Sequence, residues 1–134
     1  MSTRGAYVFE DASNGVSVYR HSDNYASGAA EAIEKAKSMA WQNPRFEADE
    51  FAAAFVAANK DGPGGIRLIS GDRNGWMDFA HDLEYVYRVT AIDGRLNVVA
   101  FHVFYNDTWE MEEIYNGELE GLATCEDHKC TLSS

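Results

Sequence analysis

Residues 96–105 constrain the fold most, because they are apolar on both sides of an extended chain. Leu96, Val98, Ala100, His102 and Phe104 face one way; Val99, Phe101, Val103 and Tyr105 face the other. A strand with one wet face alternates apolar with polar residues, and this one does not, so it is expected near the centre of a sheet. Directly before it, Asp93 and Gly94 form a two-residue hairpin signal. Residues 83–90 alternate, with Leu83, Tyr85, Tyr87 and Val89 on one face. An antiparallel pair is therefore the expected heart of the chain.

A second hairpin is expected at the start. Residues 6–9 and 16–19 are β-prone and are separated by a turn-rich stretch ending in Asn14 and Gly15. Two helices follow. Residues 29–41 carry Ala29, Ile33, Ala36, Ala40 and Trp41 at helical spacing, with Ser27 placed to cap them and Asn43 and Pro44 to end them. Residues 47–59 carry Phe51, Ala54, Phe55 and Ala58 as one stripe, with Glu47, Asp49 and Glu50 at the positive N-terminal end. Residues 66–70 read as a short strand and residues 71–82 as a loop that Trp76 and Phe79 can anchor. Residues 109–122 fit either a strand or a helix.

This order predicts an α+β fold, an antiparallel sheet with two helices packed on one face. The 134 residues suit a single domain, with an acidic C-terminal segment over 106–134 and a loose tail from about residue 124. No apolar run approaches the roughly 20 residues of a membrane-spanning helix. The polar first five residues do not form a signal peptide, so the expected location is the cytoplasm. Two cysteines are too few for a disulfide scaffold.

Charge is the strongest compositional fact. The net value is −11 and it is unevenly spread. Residues 1–75 hold ten acids and eight bases, whereas residues 76–134 hold twelve acids and three bases. Residues 107–127 hold eight acids and no base. Such a surface repels nucleic acid and anionic membrane and attracts basic partners. In that stretch Asp107, Glu110, Glu112, Glu113, Glu118 and Glu120 are threaded with Trp109, Met111, Ile114 and Tyr115. Carboxylates interleaved with large apolar groups suit an interface, in which aromatics anchor and charge steers. A simpler alternative is an apolar stripe facing the core with its acids in solvent.

Other candidate sites are weaker. His21 with Asp23 is the pattern of a general base and its orienting partner, or of two metal ligands, and Asn24 and Tyr25 add an amide and a phenol. The same residues also make an ordinary turn ahead of a helix. His81, Asp82 and Asp78 would extend such a site only if the loops converge. Cys125, His128 and Cys130 offer three ligands on a tail without the second pair that zinc sites use. The glycines of residues 62–65 lack the Gly-Lys-Ser/Thr ending of a phosphate loop and read as a helix stop. No metal or cofactor is expected.

Three short motifs occur in a familiar order. The chain opens Met1, Ser2, Thr3, Arg4, Gly5, continues with Tyr19, Arg20, His21, Ser22, Asp23, Asn24, Tyr25, and later reads Glu84, Tyr85, Val86, Tyr87. Over residues 1–105 this resembles a widespread group of small phage and prophage proteins of the pattern M-G-T-R-S, Y-x-H-x-D-G-Y-P, E-Y-x-Y. Asn24 stands for the usual glycine and Ala26 for the usual proline. The resemblance implies a phage or prophage origin and action inside a bacterium, where small acidic phage proteins often inhibit host defence, as anti-CRISPR proteins do.

The expected function is thus a phage-encoded acidic binding protein, not an enzyme. It would occupy a basic nucleic-acid-binding surface of a host protein or nucleoprotein complex, without touching nucleic acid or membrane itself. The contact residues would be Asp107, Trp109, Glu110, Glu112, Glu113, Tyr115, Glu118 and Glu120. One alternative is a small-ligand binder or enzyme using His21, Asp23, Asn24 and Tyr25. Another is a phage assembly accessory protein that oligomerises through exposed aromatic strands, a homodimer being one such form.

Overall fold

A computed structural model of the chain describes residues 3–40, 46–60, 65–70 and 83–124, with backbone alone at Ser70, Tyr105, Asn106 and Trp109. The expected first hairpin forms: β1 (Gly5–Glu10) runs antiparallel to β2 (Gly15–Arg20), with Tyr7 opposite Val18 and Phe9 opposite Val16. Asp11 closes it. One carboxylate oxygen accepts the backbone N–H groups of Ser13 at 2.8 Å and Asn14 at 2.7 Å, an Asx turn that suits Asp at this position.

Two helices follow, α1 (Ala26–Met39) and α2 (Ala48–Asn59), and both pack on one face of the sheet. The α1 stripe of Ala29, Ile33 and Ala36 is fully buried, as are Phe51 and Phe55 of α2. Trp41, Asn43 and Pro44 lie outside the described residues. Small Ala side chains let α1 and α2 approach closely. The Asn59 amide fastens the pair by donating to the carbonyls of Ala32 and Phe55, each at 3.0 Å.

The sheet is completed by β3 (Ile66–Ser70), β4 (Tyr85–Ile92), β5 (Arg95–Asn106) and β6 (Thr108–Glu118), in the order β3-β2-β1-β4-β5-β6. Every neighbouring pair is antiparallel except β1 and β4, which run parallel. The expected antiparallel sheet is therefore mixed at one seam. With β2 already paired on both edges, β4 takes the open edge of β1, and in that register Tyr7 stands beside Tyr87 with ring centroids 5.3 Å apart. The rings of Phe9 and Phe55, tilted against each other with centroids 5.2 Å apart, extend the same aromatic cluster. Burying such rings stabilises the fold by roughly 1.5–3 kcal/mol each.

The hairpin at Asp93 and Gly94 forms as expected, with φ of 53° and 80°. Both residues sit in the left-handed region that a two-residue turn of this kind requires. β5 lies inside the sheet between β4 and β6, which accounts for its two apolar faces. Val98 and Ala100 join the helix-side core with Tyr85, Tyr87 and Val89. Val103 joins a second cluster on the opposite face with Ala6, Val8, Tyr19 and Val86.

Three expectations need correction. Leu83 does not share a face with Tyr85; it precedes β4 and packs in the second cluster. The strand phase is set one step later, where the Arg4 carbonyl accepts the N–H groups of both Glu84 and Tyr85. Ser27 is not a helix cap, because α1 begins at Ala26 and leaves Ser27 exposed in its first turn. The segment 109–122 is neither one strand nor one helix. It is β6 followed by the short helix α3 (Leu119–Leu122), whose two leucines are buried. The loop at 71–82, with Trp76 and Phe79, lies outside the described residues, as does the tail beyond Thr124.

The start of α2 has an unexpected partner. Its N-cap residue, Glu47, makes no side-chain cap bond. The second carboxylate oxygen of Asp11 accepts the Ala48 N–H at 2.8 Å instead. A carboxylate there also meets the positive end of the helix dipole. Asp11→Ala is therefore expected to loosen the β1–β2 turn and the α2 start together and lower stability by about 1–2 kcal/mol, measured as a shift of the urea midpoint at constant slope.

Candidate functional site

The loop of residues 21–25 is organised around Asn24, not His21. Asn24 is fully buried. Its amide nitrogen donates to the carbonyls of Thr3 at 2.7 Å and Arg20 at 2.8 Å. Its amide oxygen accepts the Tyr7 hydroxyl at 2.5 Å, and its backbone carbonyl accepts the Tyr87 hydroxyl at 2.6 Å. One side chain thus ties the entry of β1, the end of β2 and the start of α1 together. Gly5 belongs to the same knot, since a Cβ there would lie 2.8 Å from the Asn24 Cγ. Asn24 was expected as part of a ligand loop, but its hydrogen-bonding atoms are committed inside the fold, so it has no surface to offer a ligand.

Around this knot the other loop residues diverge. The His21 backbone N–H donates to the Gly65 carbonyl at 3.0 Å, and its ring Nδ1 meets the Tyr19 hydroxyl at 2.8 Å. Tyr19 belongs to the cluster on the helix-free face. Tyr25 stands edge-on to Tyr85, with centroids 5.8 Å apart, on the helix side. Asp23 adopts a φ of 64°, and its carbonyl accepts from the Arg20 guanidinium at 3.1 Å. His21 and Tyr25 therefore follow opposite faces of the sheet. Asp23 instead lines a groove of about 360 Å³ with Glu31, Glu34 and Glu120. A larger depression of about 680 Å³ lies elsewhere, against Asp11, Asn14, Glu47 and Asp49. No group of three or more His, Cys, Asp or Glu among the described residues is placed to hold a metal. Asp78, His81, Asp82, Cys125, His128 and Cys130 lie outside the described residues.

The acidic segment is arranged differently. Asp107, with a φ of 68°, makes the tight turn from β5 into β6. β6 is an edge strand, paired with β5 alone among the described residues. Glu110 lies opposite Phe104, Glu112 opposite His102, and Glu113 opposite Phe101. Glu110 and Glu112 therefore share the helix-side face with an aromatic row: Tyr85 meets His102 at 5.3 Å, and His102 stacks on Phe104 at 6.0 Å. Tyr25, 44 % exposed, stands over Tyr85 at the end of this row. The two regions singled out in the sequence thus meet on one face through Tyr25. Met111, 39 % exposed, and Glu113 occupy the opposite face.

Charge on this segment is partly neutralised. Glu118 pairs with Arg95 at 3.1 Å and Glu120 with Lys37 at 4.0 Å. Asp107, Glu110, Glu112 and Glu113 are exposed and have no ion pair among the described residues. Tyr115, expected at the contact surface, is buried to 7 % and donates its hydroxyl to the Glu118 carbonyl at 2.6 Å. The reason is a bulge. Ala100 lies opposite Tyr115 and Phe101 opposite Glu113, so Ile114 is an extra residue on β6. Consecutive Ile114 and Tyr115 then both enter the core. Of Trp109 the backbone alone is described.

The tyrosine hydroxyls report this burial. Burial pushes the Tyr7 and Tyr87 hydroxyls well above the ordinary tyrosine value of 10.0. Burial also raises Tyr115, helped by the negative charges of Glu118 and Glu120.

Compared with protein-family models, curated proteins and solved structures, the chain finds no match.

Two predictions follow from the knot. Asn24→Ala leaves the buried Tyr7 hydroxyl and two carbonyls without their partner, which is expected to cost about 3 kcal/mol. His21→Ala is expected to cost only about 0.5 kcal/mol; urea denaturation compares the two. Because folded Tyr7 and Tyr87 hold their protons above the value of the unfolded chain, the stability they contribute is intact below about pH 10 and declines above it. Denaturation midpoints measured across alkaline pH, beside an ultraviolet titration of tyrosinate, are expected to show that decline, with the buried hydroxyls ionising last.

Proposed function

We propose that the protein acts by binding and that β6 is its working surface. Asp107, Glu110, Glu112 and Glu113 would meet a Lys/Arg-rich surface, with Met111 and the row ending in Tyr25 as apolar anchors. The resemblance of residues 1–105 to phage and prophage proteins suggests the class of partner: a nucleic-acid-handling complex of bacterial defence, inhibited in the manner of an anti-CRISPR protein. A row of carboxylates held on a strand can take the place of phosphates in a basic groove. The observation that carries this reading is the grouping of four exposed carboxylates within residues 107–113, none with an ion pair among the described residues.

The reading asks for no bond-making chemistry. Charge contributes mostly to the rate and selectivity of encounter, and apolar contact to the lifetime of the complex. It competes with a plainer role for the same acids, since charged residues on an edge strand discourage edge-to-edge aggregation.

The test is retention of partners from lysates of bacteria carrying defence systems, with the Glu112→Lys/Glu113→Lys double variant in parallel. The expected result is a nucleic-acid-handling complex retained by the native chain at low salt. It should be released near 1 M salt, where screening acts within about 3 Å, and not be retained by the variant. If the acids only protect the edge, the variant loses solubility while retention of the complex is unchanged, and the proposal is wrong.

A further inference from the structure

The phase of the β6 ladder can be read from its neighbours. The Val103 N–H donates to the Glu84 carbonyl at 2.8 Å, so the backbone groups of Val103 turn toward the β4 side. Val103 lies opposite Met111 across β5 and β6. Directly opposed residues of an antiparallel pair either exchange both backbone bonds or neither. Met111 therefore directs its N–H and C=O out of the sheet edge. With a period of two, so do Trp109 and Glu113. The bulge at Ile114 then breaks this phase, which leaves residues 108–113 as a regular ladder, open among the described residues.

The side chains around the ladder select what can add to it. A second copy of β6 paired antiparallel would bring carboxylates against carboxylates, which is destabilising. A basic strand would place its Lys or Arg side chains beside Glu110 and Glu112 on one face and Glu113 on the other, with Met111 as an apolar contact between them. None of the three glutamates has an ion pair to give up among the described residues.

We propose that the outer edge of β6 accepts an extended Lys/Arg-rich segment of the partner as an added strand, through the outward backbone groups of residues 109, 111 and 113. This rests on the binding reading above and supplies its mode: main-chain bonds hold the segment, and the flanking carboxylates choose its charge.

The probe is a synthetic seven-residue peptide of alternating Arg and Thr, measured against the full-length chain by calorimetry and by exchange of the β6 amides. Its fully N-methylated form keeps the charge and removes the donors. The native peptide is expected to bind and to slow exchange at Met111 and Glu113, and N-methylation to weaken binding by at least about tenfold. Met111→Pro, a change that an edge position tolerates, should weaken binding similarly while leaving the circular dichroism spectrum unchanged. Equal binding of both peptides, or no binding of either, overturns strand addition. Binding of the native peptide that survives Glu112→Lys/Glu113→Lys would instead overturn the acidic-surface reading. Binding lost in that variant but indifferent to N-methylation would leave that reading standing without the added strand.

Discussion

One buried carboxamide, that of Asn24, fixes the relation between the sheet and the first helix. Its side chain reaches Thr3, Tyr7 and Arg20, while its own carbonyl receives Tyr87. Each of these groups is polar and would be costly to bury alone. Satisfied together, they specify one geometry. The stacked rings of Tyr7 and Tyr87, with Phe55 tilted against them, then have a defined floor, and α1 begins where the knot ends. The two tyrosines that reach the knot come from the two strands of the parallel seam, β1 and β4.

That commitment bears on function. A loop whose central residue is locked into the core, and whose His21 and Tyr25 follow opposite faces of the sheet, is a poor place to assemble a reaction site. The far edge has the opposite character. Glu10 is held by a bidentate bond from Arg88 at 2.8 and 2.9 Å, and Glu118 and Glu120 have cations of their own. The turn at Asp107 and the first half of β6 hold four exposed carboxylates within seven residues, with no ion pair among the described residues. The fold thus commits its hydrogen-bonding groups where the sequence looked reactive, and it sets a cluster of unpaired carboxylates on a strand whose outer edge has no partner among the described residues.

How legible this was depended on distance along the chain. The two hairpins, α2 and the interior place of β5 were readable because their signals are local: an Asp-Gly pair, a helical stripe, a run apolar on both faces. The cap of α2 was not, because Asp11 and Ala48 are 37 residues apart and Asp11 alone reads as a turn residue. Asn24 has the same double meaning, a turn former in sequence and a core polar residue in space. The acidic segment defeated periodicity for a definite reason: the bulge at Ile114 shifts the strand by one residue, so the alternation of residues 109–113 cannot continue into Ile114 and Tyr115. Neither the acids left unpaired nor the ones given partners could be told apart without knowing that Arg95 and Lys37 fold over Glu118 and Glu120. Tyr25 belonged to one candidate site in sequence and stands beside the other in space.

The claim at the centre of this account is that recognition belongs to β6 and that Asn24, the centre of the loop before α1, belongs to the core. Amide hydrogen exchange of the full-length chain, alone and bound to the complex it retains, tests it directly. The account predicts slowed exchange across β6 on binding, with residues 21–24 unchanged. Slowed exchange confined to residues 21–24, with β6 indifferent to the partner, would contradict it.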